Sequence, residues 1–577
     1  MVTVLEGALG CGAGDCAKAT ETTAVIAAQA INGKKMRVFM AMIFPAGQAA
    51  SNEKEGRSQQ ITSSKFVVSL DPALCFERME RVFGLETEYG ITVEGAESVD
   101  VVAESIALVR SYTEHGALMK WDYGHEDPHR DARGFRAREL RQDVDESAYY
   151  EIDKNRPLTF QEIKSDLVLS NGARFYNDHA HPEYSTPECT TLHEIVAQEK
   201  AGERILAECA RRRNAHLPEN QRVCLYKNNT DFLGHSYGCH DNYLMRRDVP
   251  WDRIVAGALP FLVTRQIFGG AGKMGIEAES APGQPGAFQI SQRADFFSTL
   301  VSIDTMNRRP LVNTRDEPHA DASKYRRFHV IIGDSNMSEW ATAMKLGTTA
   351  LVLELIENGK SPQLEIAQPI DAAKSISRDQ NFDWIIELRD GRKISAIEVQ
   401  RLYLGAAQKL NRNEGKDWVL REWESVLNDL ERDVMICRDR VDWTAKKFLL
   451  NELQEEEKLA WSDPWLQSID LEYHNIDLDR GLYYELLRHD SMRRVVNEDE
   501  IRRAIFSPPE TTRAFFRGRA VARFTDQIES IQWNEIVLTG DGRSQKILLP
   551  EPADESLERL NRAIRKSADF ADFLRVI

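Results

Sequence analysis

No apolar run in this chain approaches the ~20 residues that a membrane-spanning helix needs, so no membrane association is expected. The eight cysteines (Cys11, Cys16, Cys75, Cys189, Cys209, Cys224, Cys239 and Cys437) contain no CxxC pair. Their spacing suggests neither a zinc site nor a disulfide framework, and they read as reduced thiols of a cytoplasmic protein. There is no GxxxxGK[ST] loop and no HRD…DFG set, which removes P-loop NTPases and protein kinases. Internal repeats and low-complexity tracts are also missing. An excess of basic charge is lacking as well: 74 Lys and Arg against 91 Asp and Glu leave a net charge of −17. That balance argues against bulk nucleic-acid binding, though it leaves room for a local basic groove.

What is present describes a globular chain, with 42% hydrophobic and 29% charged residues over 577 positions, enough for more than one domain. Residues 1–78 show no sustained periodicity. Lys34, Lys35 and Arg37 precede a short apolar stretch at 38–46 that resembles a signal-peptide core. It lies internally, and the segment is expected to be a disordered or spurious extension, with Met79 as the natural start. A main domain is expected over 79–497, with an inserted loop at about 115–158, and a small C-terminal domain over 498–577.

Residues 81–93, RVFGLETEYGITV, read as one buried strand. Glu86 and Glu88 are two apart, so a strand points both to one face, where like charges repel unless a cation intervenes. Helices are expected over 97–114, 192–215, 254–268 and 337–357, and again through 395–460. The C-terminal region reads as a short helix, a strand pair at 530–538 and 545–549, and a final helix from Glu555. The polar stretch WDYGHEDPHRDARGF opening at Trp121 has no core of its own, which suits a disordered insertion or a functional loop. Within it, Asp131 and Arg133 read equally as a gate and as solvated residues.

The densest chemistry lies in residues 171–189, NGARFYNDHAHPEYSTPEC. Asn171-Gly172 signals a turn and 173–177 a strand. Asp178, His179, His181, Glu183 and Glu188 follow in a stretch that Pro182 and Pro187 exclude from a helix, read as a loop. So many ionisable groups need partners if they are buried. Further strands end in polar clusters: Glu86/Glu88, His240/Asp241, Arg293, and Arg315/Asp316/Glu317/His319. They are expected to line one face of a curved sheet. Carboxylates and neutral histidine suit Mg²⁺, and arginines suit phosphate oxygens. Together they point to a nucleotide–Mg²⁺ site.

GLETEYG, NGARFYNDHAHPEYSTPEC, YKNN with SYGCHDNYL, QISQRAD, NTRDEPHAD and YRRFHVIIGD, in this order, resemble the glutamine-synthetase-like enzymes of pupylation, the Pup ligase–depupylase family. The resemblance runs from about Glu80 to the C-terminus. It implies an α+β fold, a curved antiparallel sheet flanked by helices with a small C-terminal α/β domain. It implies ATP and Mg²⁺ at one end of the sheet, a groove for Pup, and pupylated proteins as partners. The long insertion and the DHAH wording at 178–181 favour hydrolysis of the isopeptide bond between Pup and a lysine, with deamidation of a C-terminal glutamine of Pup. GLETE is nearer the ligase wording, and Asp241 stands where glutamate is usual. A Pup–protein ligase and an inactive Pup- and nucleotide-binding regulator are the alternatives. By position, Asp178 is the reactive carboxylate, as nucleophile or as base for a water. Glu86, Glu88, Glu183, His240 and His319 are the implied Mg²⁺ ligands. Arg293, Arg315 and Arg327 are implied to face phosphates or the oxyanion.

Overall fold

The computed structural model describes residues 79–113, 120–140, 154, 156–232, 234–277, 286–540 and 543–577. The expectations for 1–78 and for much of the insertion therefore lie outside the described residues.

Alternation of apolar and polar residues builds the central sheet. In β1 (Phe83–Glu88), Phe83, Leu85 and Thr87 are buried while Gly84, Glu86 and Glu88 face the other way. Around it lie β2 (Gly90–Glu94), β3 (Leu167–Val168), β4 (Arg174–Asp178), β5 (His181–Ser185), β6 (Arg222–Tyr226), β7 (Cys239–Arg246) and β8 (Tyr325–Val330), among further short strands. Six of them form one sheet in the order β8-β7-β1-β5-β4-β3, with every pair antiparallel.

Two sequence expectations fail here for one reason. Residues 81–93 are not a single strand: β1 belongs to the main sheet, whereas β2 pairs with β6. Residues 171–189 are not a loop: β4 and β5 form a hairpin at its centre, turning at His179 with φ 55°. Pro182 stands opposite Asn177, and its carbonyl accepts from the Tyr89 amide at 3.1 Å. Having no N–H of its own, it closes the β1–β5 ladder, and the chain leaves the sheet at Gly90. A Cβ at Gly90 would come within 2.4 Å of the Tyr237 hydroxyl.

Helices back the sheet. α1 (Val101–Arg110) is shorter than the expected 97–114 because Asp100 caps it, accepting from the Ala103 amide. α2 (Phe160–Lys164) is a single short turn on the rim. α3 (Leu192–Asn214) starts with a Thr191–Glu194 capping box, and α4 (Glu339–Glu357) is buried along almost its whole length. The glycine-rich run after 268 packs inward, where a Cβ at Gly270 would meet the Ile290 carbonyl at 2.1 Å.

The C-terminal region holds its own apolar cluster, from Phe515 to Phe573, with Trp121 and Val168 joining it. By contrast, Ile501 and Ala504 pack into the large core. Three strands rather than two appear here, β9 (Ile528–Gln532), β10 (Glu535–Gly540) and β11 (Arg543–Leu548). A turn at Trp533-Asn534 divides what reads in sequence as one strand. α5 (Arg513–Phe524) carries Arg513 and Arg517, which donate to Glu188 at 2.7 and 2.5 Å. No described helix is long and apolar enough to cross a membrane.

The described part of the insertion, 120–140, is pinned rather than free. Asp122 and Lys120 exchange backbone hydrogen bonds with Ile531, and Asp131 bridges to Arg315. Asp131 is 1% exposed, which overturns a solvated reading; it accepts from Thr314 Oγ1 at 2.6 Å and from Arg133.

Candidate active site

The register of the sheet assembles the site. Directly opposed residues of antiparallel strands share a face. Glu86 stands opposite His240 on one side and Ser185 on the other, and Glu88 stands opposite Glu183. Glu183 is opposite Tyr176, Asp178 is opposite His181, and His329 is opposite Asn242. One face of the sheet therefore carries Glu86, Glu88, Tyr176, Asp178, Glu183, His240, Arg327 and His329.

These groups form two clusters. In the first, Glu86, His240 and His329 offer ligand atoms within 4.8 Å of one another. Glu86 accepts from Arg327 at 2.9 Å and Asn242 at 3.1 Å, and lies 3.2 Å from His240 Nδ1. Burial opposes ionisation of Glu86. The His240 hydrogen bond and the charges of Arg327 and His329 outweigh it and hold the carboxyl well below the usual range. In the second cluster, Glu88, Asp178 and Glu183 likewise converge within 4.8 Å. Burial pushes the Glu183 carboxyl well up, and Asp178, Glu86 and Glu88 push it further. Burial also opposes ionisation of Asp178. Lys164 Nζ at 2.6 Å and His179 at 3.3 Å more than offset this and hold Asp178 well below the usual range. Two neighbouring carboxyls driven apart in this way are a signature of a working site.

Beside the first cluster, a cleft opens between the sheet and the C-terminal region. Glu86, Thr186, His319, Arg327, Arg513 and Trp533 line it. His319, at φ 49°, belongs to this wall and to neither cluster. Burial, with Arg327 and Arg513 nearby, holds its imidazole well below the usual range, so it is neutral.

The expectation that every polar cluster lines the same sheet does not hold. Arg293 follows Phe288–Gln289, which pairs with Lys273–Met274, and Arg315 follows Arg309–Asn313, which pairs with Phe297–Ser302. Arg293 is buried, donates to the Ile331 carbonyl at 2.5 Å, and is pulled down to about 10 by burial with help from Arg309. Arg315 reaches Thr305 Oγ1 at 3.4 Å and lies 3.9 Å from Glu317. The Asp241 carboxylate points to the opposite side of the sheet, onto Arg265 at 2.8 Å.

Sequence reasoning passed over His329, Tyr176, Arg174 and Lys164. Tyr176 donates to Glu183 at 2.8 Å. The Arg174 guanidinium lies over the Trp121 and Tyr176 rings at 4.1 and 4.0 Å. A period-2 signal was available: 174, 176 and 178 share a face, as do 327 and 329.

This site on an antiparallel sheet defines a carboxylate-rich enzyme of the glutamine-synthetase-like class. The family model described as "Pup-ligase protein" matches residues 81–537, and the chain belongs to that family. It is 45% identical over 488 residues to a protein of Acidothermus cellulolyticus named depupylase, covering 82% of this chain and 94% of that one. It is 41% identical over 476 residues to a Pup deamidase/depupylase of Mycolicibacterium smegmatis, covering 81% and 93%. Among solved structures, the complex between Pup and its ligase PafA superposes with a TM-score of 0.68 at 30% identity, over 86% of this chain and 94% of the ligase. PafA in complex with ADP gives 0.64 at 32% identity, over 75% and 96%.

Proposed function

We propose that this chain is a nucleotide- and Mg²⁺-dependent depupylase acting in the cytoplasm, which hydrolyses the isopeptide bond between the terminal glutamate side chain of Pup and a substrate lysine. It also deamidates a C-terminal glutamine of Pup. The observation that carries the reading is the convergence of Asp178, Glu88 and Glu183 on the sheet face that also carries Glu86, which lines the cleft, in a chain whose relatives are named for this reaction.

The donor set suits hard cations. Three carboxyls crowd together, and burial with its neighbours' charge pushes the Glu183 carboxyl well up. A divalent ion relieves that repulsion. Glu88 and Glu183 would hold one ion, and Glu86, His240 and His329 another. Bound there, the metal supplies Lewis-acid polarisation of the amide carbonyl and neutralises phosphate charge. The cleft suits ATP: the Trp533 indole offers a face for the base, and Arg327, Arg513 and neutral His319 offer donors for phosphates. Arg293 and Arg315 lie outside that wall.

Asp178 supplies the electron pair. Its carboxylate stays ionised at neutral pH because Lys164 and His179 neutralise the cost of burial. As base it takes a proton from a water that attacks the amide carbon and passes that proton to the departing lysine amine. As nucleophile it forms a mixed anhydride with the Pup carboxyl while the amine leaves with a proton from solvent, and a water then hydrolyses the anhydride and restores Asp178. Arg327 holds Glu86 in place, and Tyr176 with Ser185 fixes Glu183 through one oxygen. The test is to incubate the chain with a pupylated protein and Mg²⁺, with and without ATP. Release of free protein only with nucleotide supports the depupylase, whereas growth of conjugate from free Pup identifies a ligase.

A further inference from the structure

β4 ends at Asp178 and β5 begins at His181, so His179 and Ala180 make the turn of the hairpin. A positive φ in so tight a turn usually falls to Gly, Asn or Asp. Here an imidazole takes it, at φ 55°. Nδ1 of His179 lies 3.3 Å from Asp178 Oδ2, and the His179 side chain is 45% exposed. The other histidine of this stretch is committed elsewhere. His181 Nδ1 lies 3.6 Å from Glu88 Oε2, and its ring stacks on Tyr237 at 4.6 Å.

An alkylamine leaves a tetrahedral adduct readily only if its nitrogen is protonated as the C–N bond breaks. On the anhydride route Asp178 cannot supply that proton, because its oxygen is bonded to the Pup carboxyl carbon. The departing nitrogen is attached to the same carbon, which brings it beside the groups that flank Asp178. Two nitrogen donors flank it, Lys164 Nζ at 2.6 Å and His179 Nδ1 at 3.3 Å. An ordinary lysine ammonium titrates near ~10.4 and an imidazolium near ~6.5, so at neutral pH the imidazolium is the better acid. Bond formation sharpens the difference. While Asp178 is ionised, its charge favours the protonated imidazole. Once Asp178 is acylated that charge is gone, and the imidazolium becomes more acidic just when the nitrogen needs a proton.

We propose that His179 is the general acid for departure of the lysine amine on the anhydride route, and that the solvent proton reaches the nitrogen through its ring. The inference rests on Asp178 being the nucleophile. In the first step the Asp178 carboxylate adds to the amide carbon and His179 gives its proton to the nitrogen. The C–N electron pair leaves with the amine as R′–NH₂, and Pup–CO–O–CO–Asp178 remains. In the second step water splits the anhydride into two carboxylates and two protons. One proton returns to His179 and the other makes R′–NH₃⁺. The exposure of the ring keeps it in exchange with solvent between turnovers. Deamidation follows the same steps with R′ as hydrogen.

The test compares two substrates that differ only in the leaving group: a pupylated protein, and Pup carrying a 4-nitroanilide on the same terminal glutamate side chain. A nitroanilide nitrogen delocalises the C–N electron pair and leaves without an acid. Amine release is followed in a single turnover. His179→Asn tolerates the positive φ and keeps an N–H beside Asp178, but has no proton to transfer. It is expected to slow release from the pupylated protein by about 10²-fold or more, with nitroaniline release within about threefold of wild type. Added imidazole should speed His179→Gly on the pupylated protein and leave the nitroanilide rate unmoved. Equal losses on both substrates overturn the proposal by making His179 a support for Asp178. Wild-type release from the pupylated protein by His179→Asn overturns it as well. Failure of the underlying assignment looks different: Asp178→Asn then cleaves both substrates at the wild-type rate, whatever the His179 variants do.

Discussion

Glu88 and Glu183 stand directly opposite one another across the β1–β5 ladder. Two carboxyls in that position repel, and a sheet tolerates the pairing only if a proton or a cation intervenes. Without metal, the Glu183 carboxyl is pushed well up by burial and by its acidic neighbours.

Metal should therefore stabilise the fold, and more so as the pH rises. A carboxyl raised in the folded state contributes stability that is present below its unfolded value of 4.5 and is lost as the pH climbs towards its folded value. A bound divalent ion removes that loss. The melting temperature in excess Mg²⁺ minus that in EDTA is expected to widen from pH 5 to pH 8. In Glu183→Gln, the metal-free protein should melt higher than wild type and respond little to Mg²⁺.

His329 and His319 should separate by function. His329 converges with Glu86 and His240, whereas His319 lines the cleft with Arg513 and Trp533. His329→Ala is expected to raise the Mg²⁺ concentration for half-maximal activity by about 10-fold or more. His319→Ala should instead weaken nucleotide binding, read by titration with a fluorescent ADP analogue, and leave the Mg²⁺ requirement nearly unchanged. The opposite pattern would exchange the two assignments.

Glu188 ties the hairpin region to α5. Burial raises its pKa, but Arg517 and Arg513 outweigh this and bring the carboxyl down to about 2. A lowered carboxyl contributes stability present above its unfolded value of 4.5 and lost as the pH falls towards 2. The whole contribution is about 3 kcal/mol. Arg517→Met should move the acid-unfolding midpoint to higher pH, measured by circular dichroism between pH 2 and 6. It should also loosen the Asn171–Gly172 turn, because Arg517 donates to the Gly172 carbonyl at 2.8 Å.

Gly172 adopts φ 81°, and a Cβ there would lie 2.8 Å from the Ala514 carbonyl. Gly172→Ala combines left-handed strain with a backbone clash, and is expected to cost about 1–3 kcal/mol in urea unfolding. A neutral result would show that the turn and α5 are not in contact in solution.

The legible part of this molecule was what alternation and residue chemistry carry. Glu86 and Glu88 two apart, and Asp178 and Glu183 in one short stretch, marked the site before any strand was paired. The family motifs marked its chemistry. What alternation could not convey was which strand lies beside which. The prolines suggested a loop at 178–187, yet Pro182 sits inside a strand because its position at the ladder's end requires only a carbonyl. His329 was hidden for the same reason. It becomes a neighbour of Glu86 only once β7 lies between β8 and β1. Lys164 stands fourteen residues from Asp178 in sequence, and only the fold of α2 against β4 brings its ammonium to the carboxylate.

The central claim is that Asp178 carries the chemistry while the clusters around it hold metal and nucleotide. The direct measurement is single-turnover cleavage of a pupylated protein by Asp178→Asn in saturating Mg²⁺ and ATP, with Pup binding followed in parallel by fluorescence anisotropy. The account predicts Pup affinity within about threefold of wild type and a cleavage rate lower by about 10³-fold or more. Cleavage at the wild-type rate would contradict it.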